Sequence, residues 1–198
     1  KPGPLTAEEY ALMRTHCEKG WKLLSECLNA SGYIASGALE HHERLDGSGY
    51  PRGLTGDSIS EVGKITAVAD VYDAMTADRP HRKAIFPDAV YAHMIQYKDV
   101  LFDGAAVDAL FSKVALYPTG TFLSLWGGYI AVVTAQDPRS NLRPFVRIVG
   151  GPGIAKPIDV SLYSRPDIRI NFLLNDYVPD GHRMIGGNLQ DVVSDSDT

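Results

Sequence analysis

The spacing of apolar residues changes period once along this chain, at Tyr117-Pro118, and that change constrains the fold more than any other feature. Upstream the pattern is helical. Thr6, followed three residues on by Glu9, forms a capping box ahead of Tyr10, Leu12 and Met13. The helix it starts is expected to continue through Trp21, Leu23 and Leu24 with a bend near Gly20. A second helix is expected over residues 35–43. Asp57 or Ser58 then caps a long one carrying Val62, Ile65, Val68, Ala69 and Tyr72 at near-helical spacing. Pro87 suits the first position of a helix through Val90, Tyr91 and Ile95. Asp103 caps another with Val107, Leu110, Phe111 and Val114. Downstream, residues 122–126 and 129–133 flank Gly127-Gly128, a two-residue hairpin signal. Residues 145–149 and 158–162 read as a third and a fourth strand. The expected chain is therefore mainly α. A helical bundle occupies residues 1–116, a small antiparallel β appendage 117–175, and an irregular acidic tail 176–198.

Charge and composition exclude some partners. A formal net charge of −5 disfavours a nucleic acid polymer, whose phosphate backbone needs a basic face, but leaves room for a phosphate ligand held by a few arginines. No apolar run approaches bilayer length, and no leader-like start is present, so no membrane contact is expected of this segment. Cys17 and Cys27 are too few for a disulfide scaffold, which makes a reducing cytoplasm the default and two small core residues the plain reading. The chain opens at Lys1-Pro2-Gly3-Pro4-Leu5 without methionine and reads as a piece of something longer.

The segment Leu39-Glu40-His41-His42-Glu43-Arg44-Leu45-Asp46-Gly47-Ser48-Gly49-Tyr50-Pro51 carries the most chemistry. Adjacent histidines at a helix end lie about a quarter-turn apart, so both imidazoles can face one cleft. Imidazole suits Fe, Mn and Zn, and a multi-metal site needs such ligands converging from separate helices. His16 on the first helix and Asp70 on the long helix are the natural partners, with Asp73 three residues further on. The plain alternatives stand beside this reading. A His-His pair is more often a solvated helix end, and Asp70 and Asp73 also fit a polar stripe. The glycine-rich stretch from Asp46 to Gly56 is either a simple connection or a loop that lets backbone approach a ligand, with Tyr50 offering a ring and a hydroxyl. Asp78-Arg79-Pro80-His81-Arg82-Lys83 is either a solvated basic face or an arginine grip on phosphate at the mouth of that cleft. His81 is read as a surface residue, with a ligand role as the alternative, whereas His93 and His182 have no convergent partners and read as structural or exposed.

Read in order, His16, HHERLDGSGYPRGL, VADVYDAMTADRP and YPTGTFLSL closely resemble the HD-GYP family, a branch of the HD phosphohydrolases, from Lys1 to roughly Val149. The resemblance implies an HD-type helical bundle whose centre of two or three divalent ions, Fe or Mn, hydrolyses cyclic di-GMP to linear pGpG or GMP. By position, His16, His41, His42 and Asp70 match its metal ligands, and His41, His42 and Asp70 its catalytic core. Gly49, Tyr50 and Pro51 match the naming signature in a loop beside the substrate. Arg79 and Arg82 match nucleotide contacts, and Asp73 a variable position near the metals. The family's His-Asp dyad would fall just before Lys1, so the chain is expected to be truncated after it and inactive by itself. Partner signalling proteins docking on the GYP loop and a homodimer are further expectations of the resemblance. The rivals are a non-catalytic cyclic-dinucleotide receptor or interaction module, and an HD hydrolase acting on another nucleotide.

Overall fold

Local capping chemistry sets where the helices begin. The computed structural model describes residue 3 and residues 5–27, 30–79 and 83–174. Helix α1 (Ala7–Arg14) starts at the expected capping box: Thr6 Oγ1 accepts the Glu9 N–H, and the Glu9 carboxylate accepts the Thr6 N–H at 2.8 Å. The chain breaks at Thr15, not at Gly20. There the Thr15 hydroxyl donates to the Leu12 carbonyl at 2.6 Å, and α2 (His16–Lys22) starts afresh. A π-helical turn at Leu23–Cys27 follows. Helix α3 (Gly32–Glu40) is capped by Ser31 and ends before the histidine pair. Helix α4 (Glu61–Thr76) is capped by Ser60, whose hydroxyl accepts the Gly63 N–H at 3.1 Å. Asp57 and Ser58 lie instead in a preceding 3-10 turn, with the Asp57 carboxylate 3.5 Å from Lys64 Nζ. Pro87 opens α5 (Pro87–Gln96), and Asp103 caps α6 (Gly104–Phe111) by accepting the Ala106 N–H.

The described residues fall into two units, one up to Leu110 and one from Phe111. In the first, α3 packs on α4, with α2 on α3 and α5 on α4. Gly37 lies at the α3–α4 contact, where a Cβ would stand 3.4 Å from Val62 and Thr66, an ordinary packing distance. The apolar interior runs through Ala35, Ala67, Val68, Val71, Met75, Val90 and Met94. Among the described residues, no helix is long and apolar enough to cross a membrane.

The second unit corrects the expectation of a mainly α chain with a small β appendage. It is a five-stranded antiparallel sheet in the order β4-β3-β2-β1-β5, built from β1 (Phe122–Leu125), β2 (Tyr129–Asp137), β3 (Ser140–Gly150), β4 (Ile158–Ser161) and β5 (Ile170–Leu173). Strands β2 and β3 outrun their apolar stretches because the ladder continues to the pair Asp137 and Ser140 on either side of the Pro138-Arg139 turn. The fifth strand was not anticipated, since it pairs with β1 across a long sequence gap. Leu123, Leu125, Ala131, Val133, Val146, Ile148 and Leu173 share the buried face, an alternation that gives the unit a core of its own. The β1–β2 connection is a three-residue loop, with Leu125 paired to Tyr129 and positive φ at both Gly127 and Gly128. At the β2–β3 turn, buried Asp137 accepts from the Arg139 guanidinium and backbone and from Ser161 Oγ on β4. The Arg139 hydrogen bonds, first among the causes, hold its carboxyl well below the usual carboxylate range.

His93 on α5 is only 4% exposed, its ring 4.9 Å from that of Tyr97, and burial pushes its pKa down. The unfolded chain takes up this proton below about pH 6.5 whereas the folded ring resists it, so stability is lost as pH falls through that point. The urea midpoint is expected to drop between about pH 7 and about pH 5, and His93→Leu to flatten that slope whatever its effect on absolute stability. An unchanged slope in the variant would remove His93 from the account.

Candidate metal centre

The end of α3 and the start of α2 bring the histidines together. His41 is the C-cap of α3 with helical backbone angles, and His42 follows it in the turn, so both rings project from one end of the helix. His16 is the first residue of α2, and its Nδ1 lies 2.8 Å from the Met13 carbonyl. A carbonyl only accepts, so Nδ1 carries the proton and Nε2 presents a lone pair. That Nε2 stands 3.0 Å from His41 Nε2 and 3.6 Å from Cys17 Sγ. The three imidazole rings contact one another, with centroids 5.0, 5.0 and 4.2 Å apart. One donor atom from each of His16, Cys17, His41 and His42 lies within 4.8 Å of the other three.

Two observations make this cluster fit a cation. His41 Nδ1 and His42 Nδ1 are buried and make no hydrogen bond, although the Ala38 and Gly37 carbonyls one turn back favour the charged form of His41. Buried polar atoms rarely go without a partner, and an imidazole lone pair is satisfied by a metal ion as well as by a proton donor. The His41 and His42 rings are also held in the neutral form that can ligate. Burial is the largest cause lowering both pKa values. The charges of His41, Arg44, His16 and Arg79 add to it and press His42 far below its ordinary range. Burial pushes the Cys17 thiol up to about 11.

The remaining predicted residues sit around this cluster at different distances. Asp70 on α4 is not among the four clustered donors; its Oδ2 is 4.0 Å from His42 Nδ1, and its side chain is 39% exposed. Asp73 is exposed one turn later on α4. Arg79 is half-buried, and its charge is felt at His42. Arg82 and His81 lie outside the described residues. Tyr50 is 2% exposed. Its ring stacks on His42 at 4.5 Å and meets Tyr10 edge-on, while the Arg14 guanidinium lies 4.6 Å over it and its hydroxyl faces Met13 Sδ. Gly49 and Pro51 flank it, half-buried.

Sequence reasoning missed the groups that hold this loop in place. Glu43 is 1% exposed, and each of its carboxylate oxygens accepts one backbone N–H, from Arg52 and from Leu54, both at 2.8 Å. Glu40 is also buried; it accepts the Ser60 N–H at 2.7 Å and the Arg52 guanidinium, joining α3 to the loop and to the cap of α4. The backbone of the loop closes on the histidine turn, with the Tyr50 N–H donating to the His42 carbonyl at 3.1 Å. Gly49 is obligatory there, because a Cβ would stand 2.4 Å from the His42 oxygen and 2.5 Å from Arg44 N. Gly63 makes room for Glu40 in the same way. Cys17, read as a small core residue, is indeed buried, but beside the donors. No pattern in the sequence separates Glu40, Glu43 or Cys17 from ordinary helix and core residues. Glu43→Ala strands two backbone N–H groups at about 1–3 kcal/mol each, and is expected to lower the unfolding free energy in urea by about 3 kcal/mol. A loss below about 1 kcal/mol would mean that the loop is held elsewhere.

A family model described as HD domain matches residues 1–106. The chain is 38% identical over 148 residues to a cyclic di-GMP phosphodiesterase of Pseudomonas aeruginosa, covering 75% of this chain and 36% of that protein. It is 46% identical over 113 residues to the cyclic di-GMP phosphodiesterase response regulator RpfG of Xanthomonas campestris, covering 56% of this chain and 29% of that one. It is 38% identical over 111 residues to 3'3'-cGAMP-specific phosphodiesterase 2 of Vibrio cholerae, covering 56% and 21%. The chain thus spans about a third or less of the length of these curated relatives. With more than half of its residues under the family model, and with relatives named as cyclic di-GMP phosphodiesterases, the chain belongs to the HD domain family, in its HD-GYP branch.

Proposed function

We propose that the complete protein is a cytoplasmic, metal-dependent phosphodiesterase that hydrolyses cyclic di-GMP to linear pGpG or GMP. The observation that carries this reading is the convergence of three imidazoles and a thiol at the junction of α2 and α3, with His41 and His42 held neutral by burial. His16, His41, His42 and Asp70 would hold two or three divalent ions, with iron or manganese the fitting identities for nitrogen and carboxylate donors. Bound there, such ions supply an acidified water and neutralise charge on a phosphodiester.

The chain's own residues do the positioning. The Met13 carbonyl fixes the tautomer of His16, and the Tyr50 ring fixes the plane of His42. Asp70 stands where it can share the charge of a ligand with His42, and Asp73 one turn on faces solvent at the same end of α4. Arg79 and Arg82 would grip the phosphates of the dinucleotide, since a guanidinium offers two parallel donors to one phosphate. Gly49, Tyr50 and Pro51 shape the wall beside the substrate, with the Tyr50 ring acting through His42 because it is buried against it. Relatives named for 3'3'-cGAMP support one second reading, a different cyclic dinucleotide as substrate.

The deciding experiment follows cyclic di-GMP and 3'3'-cGAMP turnover by the full-length protein chromatographically, with Mn(II) or Fe(II) supplied. Turnover of cyclic di-GMP that disappears with bound metal in His41→Ala supports the reading, and full activity of that variant overturns it. Preferential turnover of 3'3'-cGAMP would replace the substrate. Binding of either dinucleotide without turnover would make the protein a receptor. Arg79→Ala is expected to raise KM about tenfold, the loss of one charged hydrogen bond, with metal content unchanged. Metal loss in that variant would contradict a substrate-gripping role.

A further inference from the structure

We infer that Cys17 is a thiolate donor of the metal centre, so that the site is a mixed nitrogen and sulfur site selecting a thiophilic divalent ion such as iron(II), zinc or cobalt(II) over manganese(II). This rests on the metal reading proposed above and adds the residue that sets metal preference. Cys17 follows His16 in α2 and is 0% exposed, and its Sγ lies 3.6 Å from His16 Nε2. Two donors on opposite sides of one ion, at about 2.3 Å for sulfur and about 2.1 Å for nitrogen, stand about 4.4 Å apart. The four donor atoms here lie within 4.8 Å of one another, so small side-chain rotations suffice to close them on one ion.

A buried cysteine alone would carry nothing, since free cysteine is a common core residue. The independent observation is His42. It is 8% exposed, and its Nδ1 is buried without a hydrogen-bond partner in the same cluster as the thiol. His41 turns its Nε2 to the same cluster, 3.0 Å from His16 Nε2. A cysteine serving only as a small apolar side chain gains nothing from standing against three imidazoles, each with a nitrogen within ligand reach. On binding, the S–H bond breaks, the proton passes to solvent, and a sulfur–metal bond forms, with no change of oxidation state. Thiolate favours softer ions, whereas carboxylate and water suit manganese, which gives the site its preference.

Cobalt(II) is the probe, because its spectrum reports nitrogen and sulfur ligation separately. Titrated into the protein, it is expected to give visible d–d bands and a near-ultraviolet thiolate-to-cobalt charge-transfer band. Cys17→Ser and Cys17→Ala are expected to keep the d–d bands and lose the charge-transfer band. Cys27→Ser leaves Cys17 as the remaining thiol of this chain and is expected to keep both, so the assignment stands even if the Cys17 variants fail to fold. In Cys17→Ser, zinc affinity is expected to fall about tenfold or more, the loss that removing even an outer-shell partner brings, while manganese affinity holds. Bound cobalt with d–d bands but no charge transfer, or a charge-transfer band that persists without Cys17, would overturn this inference and leave the histidine site intact. Failure of cobalt, zinc and manganese to bind the wild-type protein at all would overturn the metal reading itself.

Discussion

A buried carboxylate with both oxygens committed to backbone N–H groups is a rigid joint, and Glu43 is that joint here. An ionised carboxylate inside a protein is costly unless hydrogen-bonded, so Glu43 and the N–H groups of Arg52 and Leu54 hold each other in place. Glu40, one helical turn earlier, does the same for Ser60 and for the Arg52 side chain. Between them these carboxylates bind the end of α3, the glycine-rich loop and the start of α4 into one piece. The positions of the His42 and Tyr50 rings follow from that joint. Tyr50 can lie on His42 only because the loop returns under the histidine turn, and the loop can do so only where Gly49 has no Cβ.

The electrostatics follow from the same packing. Rings in contact, with a neighbouring Arg44 and Arg79, are kept neutral mainly by desolvation and secondarily by like charge. Neutral imidazole is the form that binds a cation, so the packing that excludes water also makes the site receptive. Asp70 is half-open and set slightly apart from the clustered nitrogen and sulfur donors. Donors of different hardness discriminate between metals by type, beyond total charge.

The β unit shows how far local pattern reaches. Local pattern marked four strands, and the structure shows which of their residues turn inward: Leu123, Leu125, Ala131 and Val133 in the first two. The pattern underestimated the sheet because strand length depends on what lies alongside. Asp137 and Ser140 extend β2 and β3 only by pairing with each other, and Ile170–Leu173 becomes β5 only by pairing with β1. The same holds for the break at Thr15: glycine is the intrinsically weaker helix residue, but a side-chain hydroxyl bonded to the preceding turn decided where the helix ended.

What the amino-acid sequence determined by itself is whatever acts within a turn or two of chain. The Thr6–Glu9 box, proline at the start of α5, the Asp103 cap and the adjacency of His41 and His42 are all of that kind. So is the motif that ties the chain to its family, because a fixed spacing of histidine, glycine and proline is legible without coordinates. The tertiary structure alone decided that His16 meets His41, that Glu43 clasps the loop, that Tyr50 faces inward to His42, and that Cys17 stands among the donors. The physical reason is common to all four. Desolvation and contact depend on which groups surround a side chain in space, and a cysteine or glutamate has the same letter whether it fills a core or completes a site.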